Sequence, residues 1–223
     1  NANTFTAAYS YALHAVNNKK IAIVISNAPA QMAPLGGKDK LLGTNPLAIG
    51  VPAHFETPFI LDMATSAVAK SKINQAVKDG LTSIPFGWAT DQNGNPTDDP
   101  KEALKGLVLP MAGAKGYGLA MAIDIISGLL SKANYLDNVG RFYSSDNKCM
   151  NVGHTFIVID PVKIYGADFY DQMDAYLKKV KQSQKADNQE IFIPGELNNI
   201  RYERALCEGI EISDYLFDQL KKL

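Results

Sequence analysis

The sequence of 223 residues lacks several features that mark common classes of protein. It has two cysteines, Cys149 and Cys207, so neither a disulfide framework nor a CxxC metal site is predicted, and a cytoplasmic location is expected. Lysine and arginine number 22 and aspartate and glutamate 23, without a basic block. Because a basic surface is needed to neutralise phosphates, we expect no nucleic-acid partner.

Long apolar runs are also missing. The longest one, 119–130, is interrupted by Asp124, Ser127 and Gly128 and is too short to cross a membrane, so no membrane partner is expected. The start of the chain has no basic region followed by an apolar core, as a signal peptide would have. The chain begins without methionine and runs almost at once into helix-like sequence, so we expect upstream residues to be missing.

Neither standard nucleotide-binding motif is present. The glycines of 113–118 are spaced GxxGxG instead of GxGxxG, and no GxxxxGK[ST] occurs. Lys115 and Gly116 nevertheless stand where a helix is predicted to begin, and the amides of a helix N terminus together with a lysine favour an anion. The alternative is a surface lysine beside glycines that allow a helix to pack closely.

Other polar residues each allow a structural and a functional interpretation. His14, His54 and His154 do not have the HxxxH or HExxH spacing of a metal site, so no metal is predicted, and His154 is interpreted as a structural group. Asp62 ends an apolar strand, where ligands dock but where aspartate also caps helices. The pair Gly195–Glu196 raises the same choice, and Asp124 needs a hydrogen-bond donor inside its apolar helix. No hydrolase motif is found.

Hydrophobic periodicity predicts short strands scattered among helices, without a regular βαβ rhythm. The predicted strands are 21–26, 47–52, 59–62, 155–160 and 191–193. The predicted helices are 6–17, 66–78, 119–130 (expected to be the most buried), 167–181 and two at the C terminus, the first ending at Gly209. Residues 84–100 are interpreted as a surface excursion. The pattern predicts an α+β fold with a mixed, largely antiparallel sheet and flanking helices.

As an ordered set, six segments resemble the type-2 malate/L-lactate dehydrogenase family, which also contains ureidoglycolate and sulfolactate dehydrogenases. They are PLGGKDKLLGTNPLAIGVP (34–52), LDMATSAVAKSKI (61–73), IPFGWATDQNGNPTDDP (84–100), GAKGYGLAMAIDIISGLL (113–130), VGHTFIVIDP (152–161) and IPGE (193–196). The resemblance implies an oxidoreductase that uses NAD or NADP, a non-Rossmann fold and a homodimer. It also implies cofactor contacts at Ala28, Asp62, Met63, Ala64, Lys115, Gly116, Gly195 and Glu196.

The sequence departs from the family pattern at two places. The family has histidine in an N-x-H-F-G segment, whereas the matching residues here are Asn3-Thr4-Phe5-Thr6, so Thr4 takes a substrate-binding position. Threonine cannot replace imidazole as a proton donor at pH 7. The upstream S-H-G segment of the family, with its catalytic histidine, is not in this sequence.

The sequence therefore predicts an NAD(P)-dependent dehydrogenase that interconverts a small 2-hydroxy acid and a 2-oxo acid. Lys72 is the predicted catalytic group on the substrate side, because it follows the cofactor-facing turn by about three helical turns; the alternative is a solvated helix lysine. For the function of the whole chain, the alternatives are a non-catalytic dinucleotide-binding or interaction protein, or an imine reductase. We divide the chain into a helical segment (1–20) that continues a missing N-terminal part, an NAD(P)-binding α+β domain (21–165), and a C-terminal strand and helices (166–223).

Overall fold

The computed structural model describes residues 2–4, 6–141, 149–212 and 214–221, so Phe5 of the N-terminal motif lies outside the described residues. The strands are β1 (Ile21–Ser26), β2 (Ala30–Met32), β3 (Leu42–Gly43), β4 (Leu47–Val51), β5 (Phe59–Met63), β6 (Ala89–Thr90), β7 (Pro96–Thr97) and β8 (His154–Ile159). The helices are α1 (Ala8–Asn17), α2 (Lys70–Lys78), α3 (Pro100–Lys105), α4 (Ala114–Asp124), α5 (Pro161–Ile164), α6 (Phe169–Lys181), α7 (Glu196–Glu208) and α8 (Asp214–Leu220). A π-helical turn (Ile125–Leu129) continues α4, and a 3-10 turn (Leu136–Asn138) follows.

The main sheet has four strands in the order β5-β4-β1-β8, and each neighbouring pair is antiparallel. Two small antiparallel ladders, β2 with β3 and β6 with β7, lie outside it. The prediction of an α+β fold with a largely antiparallel sheet and flanking helices is confirmed at this level.

Strand β1 lies inside the main sheet, as its sequence IAIVIS suggests. β-branched residues fit a pleated surface that is covered by other groups, and four of the six residues are buried. Its register pairs Ile23 with Ile49 of β4 and with Ile157 of β8. The bounds predicted for this strand, 21–26, agree with the structure.

Helix α1 covers one face of the main sheet. Its buried side consists mainly of alanines, Ala8, Ala12 and Ala15, which let the helix approach the strands closely. The closest approach is at Gly50 of β4, where an added Cβ would lie 2.8 Å from Cγ2 of Val16 and 3.0 Å from the carbonyl oxygen of Ala12. Only glycine fits this contact without displacing α1.

A second apolar cluster lies beside the sheet, under α2, α3 and α4. Met32, Leu42 and Ile73 are its fully buried large side chains. A third and smaller cluster joins Leu177 of α6 to Ala53 and Ile193, so the C-terminal part packs on the loop after β4. The domain limits at residues 20 and 165 remain predictions.

Two predicted elements differ from the structure. Helix α2 begins at Lys70 and not at Ser66, because residues 66–67 extend along another segment: Ser66 forms a β-bridge with Pro110, and the amide of Ala67 donates to Leu109 at 2.7 Å. The strand predicted at 191–193 is extended chain without a ladder, and its nearest sheet contact is the bond from the Ile60 amide to the Pro194 carbonyl at 2.9 Å.

The segment 119–130, expected to be the most buried helix, is buried along one side and exposed along the other. The buried side of α4 and its π-helical turn carries small or polar residues: Gly116, Ala120, Ile123, Asp124, Ser127 and Gly128. Its bulky apolar residues face outward instead: Met121, Ile125, Ile126, Leu129 and Leu130, the last 75% exposed. Apolar composition alone could not predict that the bulky residues are exposed, because it does not say which side of a helix packs against the rest of the chain.

Within the part of the chain that the structure describes, no helix combines the length and the apolar character needed to cross a membrane.

Candidate active site

A cavity of about 230 Å³ opens beside the end of β1 and collects residues from distant parts of the chain. Among the residues that line it are Thr4, Ala28 and Ala64, three of those predicted from the sequence to contact substrate or cofactor. The remaining wall consists of Asn3, Thr6, Ser26, Asn27, Pro29, Thr44, Pro46, Met150 and Val152. No local motif could build this cavity, because its parts meet only through the topology of the sheet.

The N-terminal segment is held in place at the cavity by residues 149–152. Asn3 Oδ1 accepts hydrogen bonds from the Met150 amide and the Cys149 thiol, each at 3.1 Å, and the Val152 amide donates to the Ala2 carbonyl at 3.0 Å. Thr4 follows directly and is exposed, and its hydroxyl oxygen accepts from the Thr6 amide at 3.2 Å. The hydroxyl hydrogen of Thr4 can therefore be donated to a ligand.

Ala28 is fixed by a fully buried asparagine that also contacts α4. Asn45 Oδ1 accepts from the Ala28 amide at 2.9 Å, and Asn45 Nδ2 donates to the Ala120 carbonyl at 2.8 Å. An Asn-Pro dipeptide is a general turn signal, and in the sequence Asn45 could be interpreted only in that way. In the structure, its amide connects the cavity wall to α4.

The segment after β5 connects the cavity to the start of α4. The amide of Thr65, next to Ala64, donates to the Thr44 carbonyl at 3.0 Å, and the Thr65 carbonyl accepts from the Met111 amide at 2.9 Å. Gly116 in turn donates to the Met111 carbonyl at 3.1 Å. The predicted pairs Met63–Ala64 and Lys115–Gly116 are thus linked by backbone hydrogen bonds, although Lys115 and Gly116 do not line the cavity.

Three amides in the first turn of α4, those of Lys115, Gly116 and Tyr117, are already hydrogen-bonded and so are not free to bind the anion expected from the sequence. The amides of Gly116 and Tyr117 each donate at 3.1 Å to carbonyls of the preceding turn, and the Lys115 amide donates to Ala112 at 3.4 Å. A Cβ on Gly116 would lie 2.2 Å from the Met111 carbonyl oxygen, so this glycine serves the tight turn. The exposed ammonium group of Lys115 remains available to an anion.

Gly195 and Glu196 lie at the other end of β5. A Cβ on Gly195 would come within 3.1 Å of the Ile60 carbonyl oxygen, so the backbone approaches the strand closely. The carboxylate of Glu196 forms an ion pair with Lys181 of α6 and accepts from the Ile193 amide at 3.0 Å. In this structure Glu196 connects α7 to α6, and its role in binding a cofactor remains a prediction.

Lys72 is not brought to the cavity. It is exposed on α2 and lines a separate shallow depression with Gln75, Asp79 and Trp88. The geometry gives no support to a catalytic role, which remains a prediction from the sequence.

Two buried polar residues at the end of β1 support the cavity and were not singled out from the sequence. Ser26 Oγ lies 2.8 Å from Nδ1 of His154, its cross-strand partner. The structural interpretation of that histidine remains a prediction. Asn27 Oδ1 accepts from the Gly153 amide at 2.9 Å, and its Nδ2 donates to the Asn134 carbonyl at 2.6 Å. Their position directly after an apolar strand was the only available signal.

Two carboxylates near the site have raised pKa values. Desolvation raises the pKa of Asp62, against the opposing effect of the Tyr9 amide that donates to it. Burial also raises the pKa of Asp124, and the Leu136 amide, which donates to Oδ2 at 3.0 Å, and Asn27 partly offset this. The Leu136 bond confirms that Asp124 accepts a backbone amide. Among the described residues, no group of three histidine, cysteine, aspartate or glutamate side chains forms a metal-ligand set.

Comparison with known proteins agrees with the resemblance of the sequence. L-Sulfolactate dehydrogenase from Methanocaldococcus jannaschii is 40% identical over 224 residues, which cover 100% of this chain and 64% of that protein. A solved structure of sulfolactate dehydrogenase from the same organism superposes with a TM-score of 0.90 at 40% identity, over 100% of this chain and 63% of the other.

Two further relatives have names that state a cofactor. (2R)-3-Sulfolactate dehydrogenase (NADP(+)) from Chromohalobacter salexigens is 32% identical, over 90% of this chain and 58% of its own length. Ureidoglycolate dehydrogenase (NAD(+)) from Escherichia coli is 34% identical, over 90% of this chain and 57% of its own length. The chain thus spans less than two thirds of the length of each relative.

The family model for malate/L-lactate dehydrogenase matches residues 1–221. This match extends over almost the whole chain and includes every segment that forms the cavity. The chain therefore belongs to the malate/L-lactate dehydrogenase family.

Proposed function

We propose that the chain carries part of the active site of an NAD(P)-dependent dehydrogenase that interconverts a small 2-hydroxy acid and a 2-oxo acid, of malate or lactate type, by hydride transfer. The observation that carries the proposal is the cavity in which Thr4, Ala28 and Ala64 meet from three distant segments. Membership of the family and the sulfolactate and ureidoglycolate dehydrogenases among its relatives support it.

The residues around the cavity fit one end of a dinucleotide. Its volume, about 230 Å³, is below the range of roughly 300–1,000 Å³ found for most small-molecule sites, so it would take the reacting end and a small acid. Ala28 and Ala64 present small side chains, which would let a flat ring approach the backbone. Asp62, Met63, Lys115, Gly116, Gly195 and Glu196 are proposed to contact the rest of the cofactor. The bound cofactor supplies the hydride.

Cofactor binding is proposed to be of a non-Rossmann type. The crevice of a Rossmann fold lies at the carboxyl ends of parallel strands, beside a GxGxxG turn. In the part of the chain that the structure describes, every strand pair is antiparallel, and the glycines of 113–118 have a different spacing.

Thr4 is proposed to bind the substrate. Its hydroxyl can donate a hydrogen bond to a carbonyl oxygen in the cavity, but threonine does not release a proton at pH 7. None of the chain's three histidines lines the cavity: His14 is exposed on α1, His54 contacts Asp171, and His154 contacts Ser26. This observation favours a second candidate function, a non-catalytic protein that binds the dinucleotide.

Calorimetry and steady-state kinetics of the full-length protein separate the two candidates. Titration with NADH and NADPH measures cofactor binding, and oxidation of the reduced cofactor with oxaloacetate, pyruvate or 3-sulfopyruvate measures turnover. Binding with turnover of at least one 2-oxo acid is expected. Cofactor binding without any turnover would favour the second candidate. The absence of both cofactor binding and turnover would overturn both candidate functions.

We further propose that the protein is a homodimer in the cytoplasm. The outward apolar side chains of α4 and its π-helical turn lie next to β8, whose Phe156, Ile157 and Val158 are also exposed. Contiguous apolar surface of this kind is typical of a protein interface. The cytoplasmic location is proposed because the sequence has only two cysteines.

A further inference from the structure

Asn45 lies between two residues of the cavity wall without lining the cavity itself. Its neighbours Thr44 and Pro46 both belong to the wall, whereas the Asn45 side chain is fully buried. The two ends of its amide bond to different parts of the chain: Oδ1 accepts from the Ala28 amide at 2.9 Å, and Nδ2 donates to the Ala120 carbonyl of α4 at 2.8 Å. One side chain therefore joins the cavity wall to α4.

The space for this side chain exists because position 43 is glycine. A Cβ on Gly43 would lie 2.4 Å from Asn45 Oδ1 and 2.1 Å from the Ala28 carbonyl oxygen. Both distances are far below van der Waals contact, so a larger residue would displace Asn45 or the segment after β1. The local packing thus holds the Asn45 amide against Ala28.

Helix α4 depends on a directional contact because its buried side carries mainly small residues. Gly116 and Ala120 lie on that side, and Ile123 is its one large apolar side chain. Helices fix their position on a neighbour by fitting ridges of side chains into grooves, and small residues form low ridges. The hydrogen bond from Asn45 is directional, so it fixes the place of Ala120 more strictly than these apolar contacts do.

The carbonyl that Asn45 holds belongs to the same helix as Lys115, five residues further along the chain. At a rise of about 1.5 Å per residue, the two positions are about 7.5 Å apart along the helix axis. A helix is stiff over this distance, so a shift at Ala120 moves Lys115 as well. Lys115 and Ala28 are both proposed to contact the dinucleotide, and Asn45 connects the elements that carry them.

We propose that Asn45 is a positioning residue for the dinucleotide, because it fixes the place of Lys115 relative to Ala28. A site that holds both groups in place before the ligand arrives avoids the cost of rearranging α4 on binding. The inference rests on the proposed function. Its consequence is that Asn45 and Lys115 do not contribute independently to cofactor affinity.

A double-mutant cycle in the full-length protein tests this dependence. Asn45→Asp keeps the oxygen that accepts from the Ala28 amide, but it replaces the donor to the Ala120 carbonyl with a second acceptor, which that carbonyl repels. Lys115→Ala removes the exposed charge. Calorimetry with NADH and NADPH gives the dissociation constants of the unchanged protein, the two single variants and the double variant.

Each single substitution is expected to weaken dinucleotide binding by at least about tenfold, the effect of losing one charge-assisted hydrogen bond. The double variant should bind only as weakly as the weaker single variant, because a displaced Lys115 has no contact left to lose. A loss equal to the product of the two single losses would show independent action and overturn the proposal. An unchanged dissociation constant for Lys115→Ala would also overturn it, since Asn45 would then have no contact to position.

A purely structural role of Asn45 predicts a lower midpoint of thermal unfolding with an unchanged dissociation constant, and this result would contradict the proposal. Asp99→Ala is the matched control: it removes the N-cap of α3, whose carboxylate accepts from the amides of Lys101 and Glu102. This variant should lower the midpoint and leave dinucleotide binding unchanged. A loss of affinity as large as that of Asn45→Asp would trace the effect to stability and count against the proposal.

Asn45→Ala serves as a second variant if Asn45→Asp fails to fold, and its cycle with Lys115→Ala has the same expected outcome. The same titrations separate this inference from the proposed function. If the unchanged protein binds neither NADH nor NADPH, the proposed function fails and this inference fails with it. Binding by the unchanged protein, with independent effects of the two substitutions, overturns this inference alone.

Discussion

The carboxylate of Asp62 accepts a hydrogen bond from the backbone amide of Tyr9 at 3.1 Å, across 53 positions of sequence. Tyr9 lies in the first turn of α1, and Ala7, the N-cap residue of that helix, has no side chain that could accept it. The end of β5 therefore caps α1. The structural interpretation of Asp62 predicted a capping role, but the capped helix precedes the strand in the sequence and does not follow it.

Asp62→Ala is expected to lower the free energy of unfolding by about 0.5–2 kcal/mol, the usual effect of losing an N-cap acceptor. Asp62→Asn keeps an oxygen that can accept the Tyr9 amide and should lose less. Urea unfolding of the three proteins measures the difference. Identical stability of the alanine variant and the unchanged protein would show that the Tyr9 contact has no energetic role.

Asp174→Ala is expected to destabilise the fold more strongly, by at least about 3 kcal/mol, because the buried carboxylate accepts three backbone amides. These belong to His54, Phe55 and Glu56, at 3.0, 2.9 and 3.2 Å. Asp171→Ala is the matched control on the same helix: its exposed pair with His54 should contribute less than about 1 kcal/mol. Chemical denaturation that ranks the two variants in the reverse order would contradict this account.

Asp124 gives a prediction of pH dependence. Because burial raises its folded-state pKa above the ordinary value of 3.8, the folded protein holds this proton more tightly than the unfolded chain does. Asp124 therefore makes the protein less stable as the pH rises from about 3.8 through the folded-state pKa, and the loss is complete above it. Asp124→Asn keeps an acceptor for the Leu136 amide without the charge. Its stability relative to the unchanged protein should increase over this range in urea unfolding, and a constant difference would refute the prediction.

Lys115→Ala is expected to weaken the binding of the dinucleotide by about 1.5–3 kcal/mol, the range for a hydrogen bond to a charged group. The exposed ammonium carries this prediction by itself, since the neighbouring amides of α4 are used by the preceding turn. Lys101→Ala, an exposed lysine in the first turn of α3, is the control. Calorimetry with NADH and NADPH should show a loss for Lys115→Ala only; an unchanged dissociation constant would remove Lys115 from the site.

Ile125→Asp combined with Leu129→Asp should convert a dimer into a folded monomer. Both side chains are about half exposed in the single chain, at 49% and 53%, so the charges are tolerated there but not in an apolar interface. Leu35→Asp, at an exposed loop residue, should leave the dimer intact. Sedimentation velocity gives the mass, and circular dichroism shows whether the variant is folded. A monomeric unchanged protein, or a double variant that stays dimeric, would argue against this surface.

The sequence predicted those elements whose local pattern agrees with their final surroundings. Strand β1 has a β-branched run between polar turns and lies inside the sheet, so pattern and burial coincide. At the start of α2 they disagree: Ser66 looks like a helix cap, but its hydroxyl donates to Val68 and its backbone bridges to Pro110. A partner more than 40 residues away decided the local structure, and periodicity contains no information about it.

The sequence predicted which residues belong to the candidate site better than it predicted how they are arranged. The resemblance to a family supplied Ala28 and Ala64, and the structure places both at one cavity with Thr4. Residue types gave no reason to select Asn45 or Ser26, because their role is to hold neighbouring backbone in place. For Lys115, the sequence indicated a charge near a helix start but could not show that the turn before it already uses the amides.

The position of β1 between β4 and β8 has a consequence for the order of folding. Its contacts with β4 close a short loop, but its contacts with β8 join residues 128 positions apart, as between Ser26 and His154. Closing the longer loop costs more chain entropy, so the antiparallel pair β1–β4 should form first and β8 should add last. During synthesis, the strand that becomes central is then an open edge until residue 159 leaves the ribosome, and in that interval it can pair with other chains. Pulsed hydrogen exchange during refolding would detect the interval as late protection of the β1 amides that face β8.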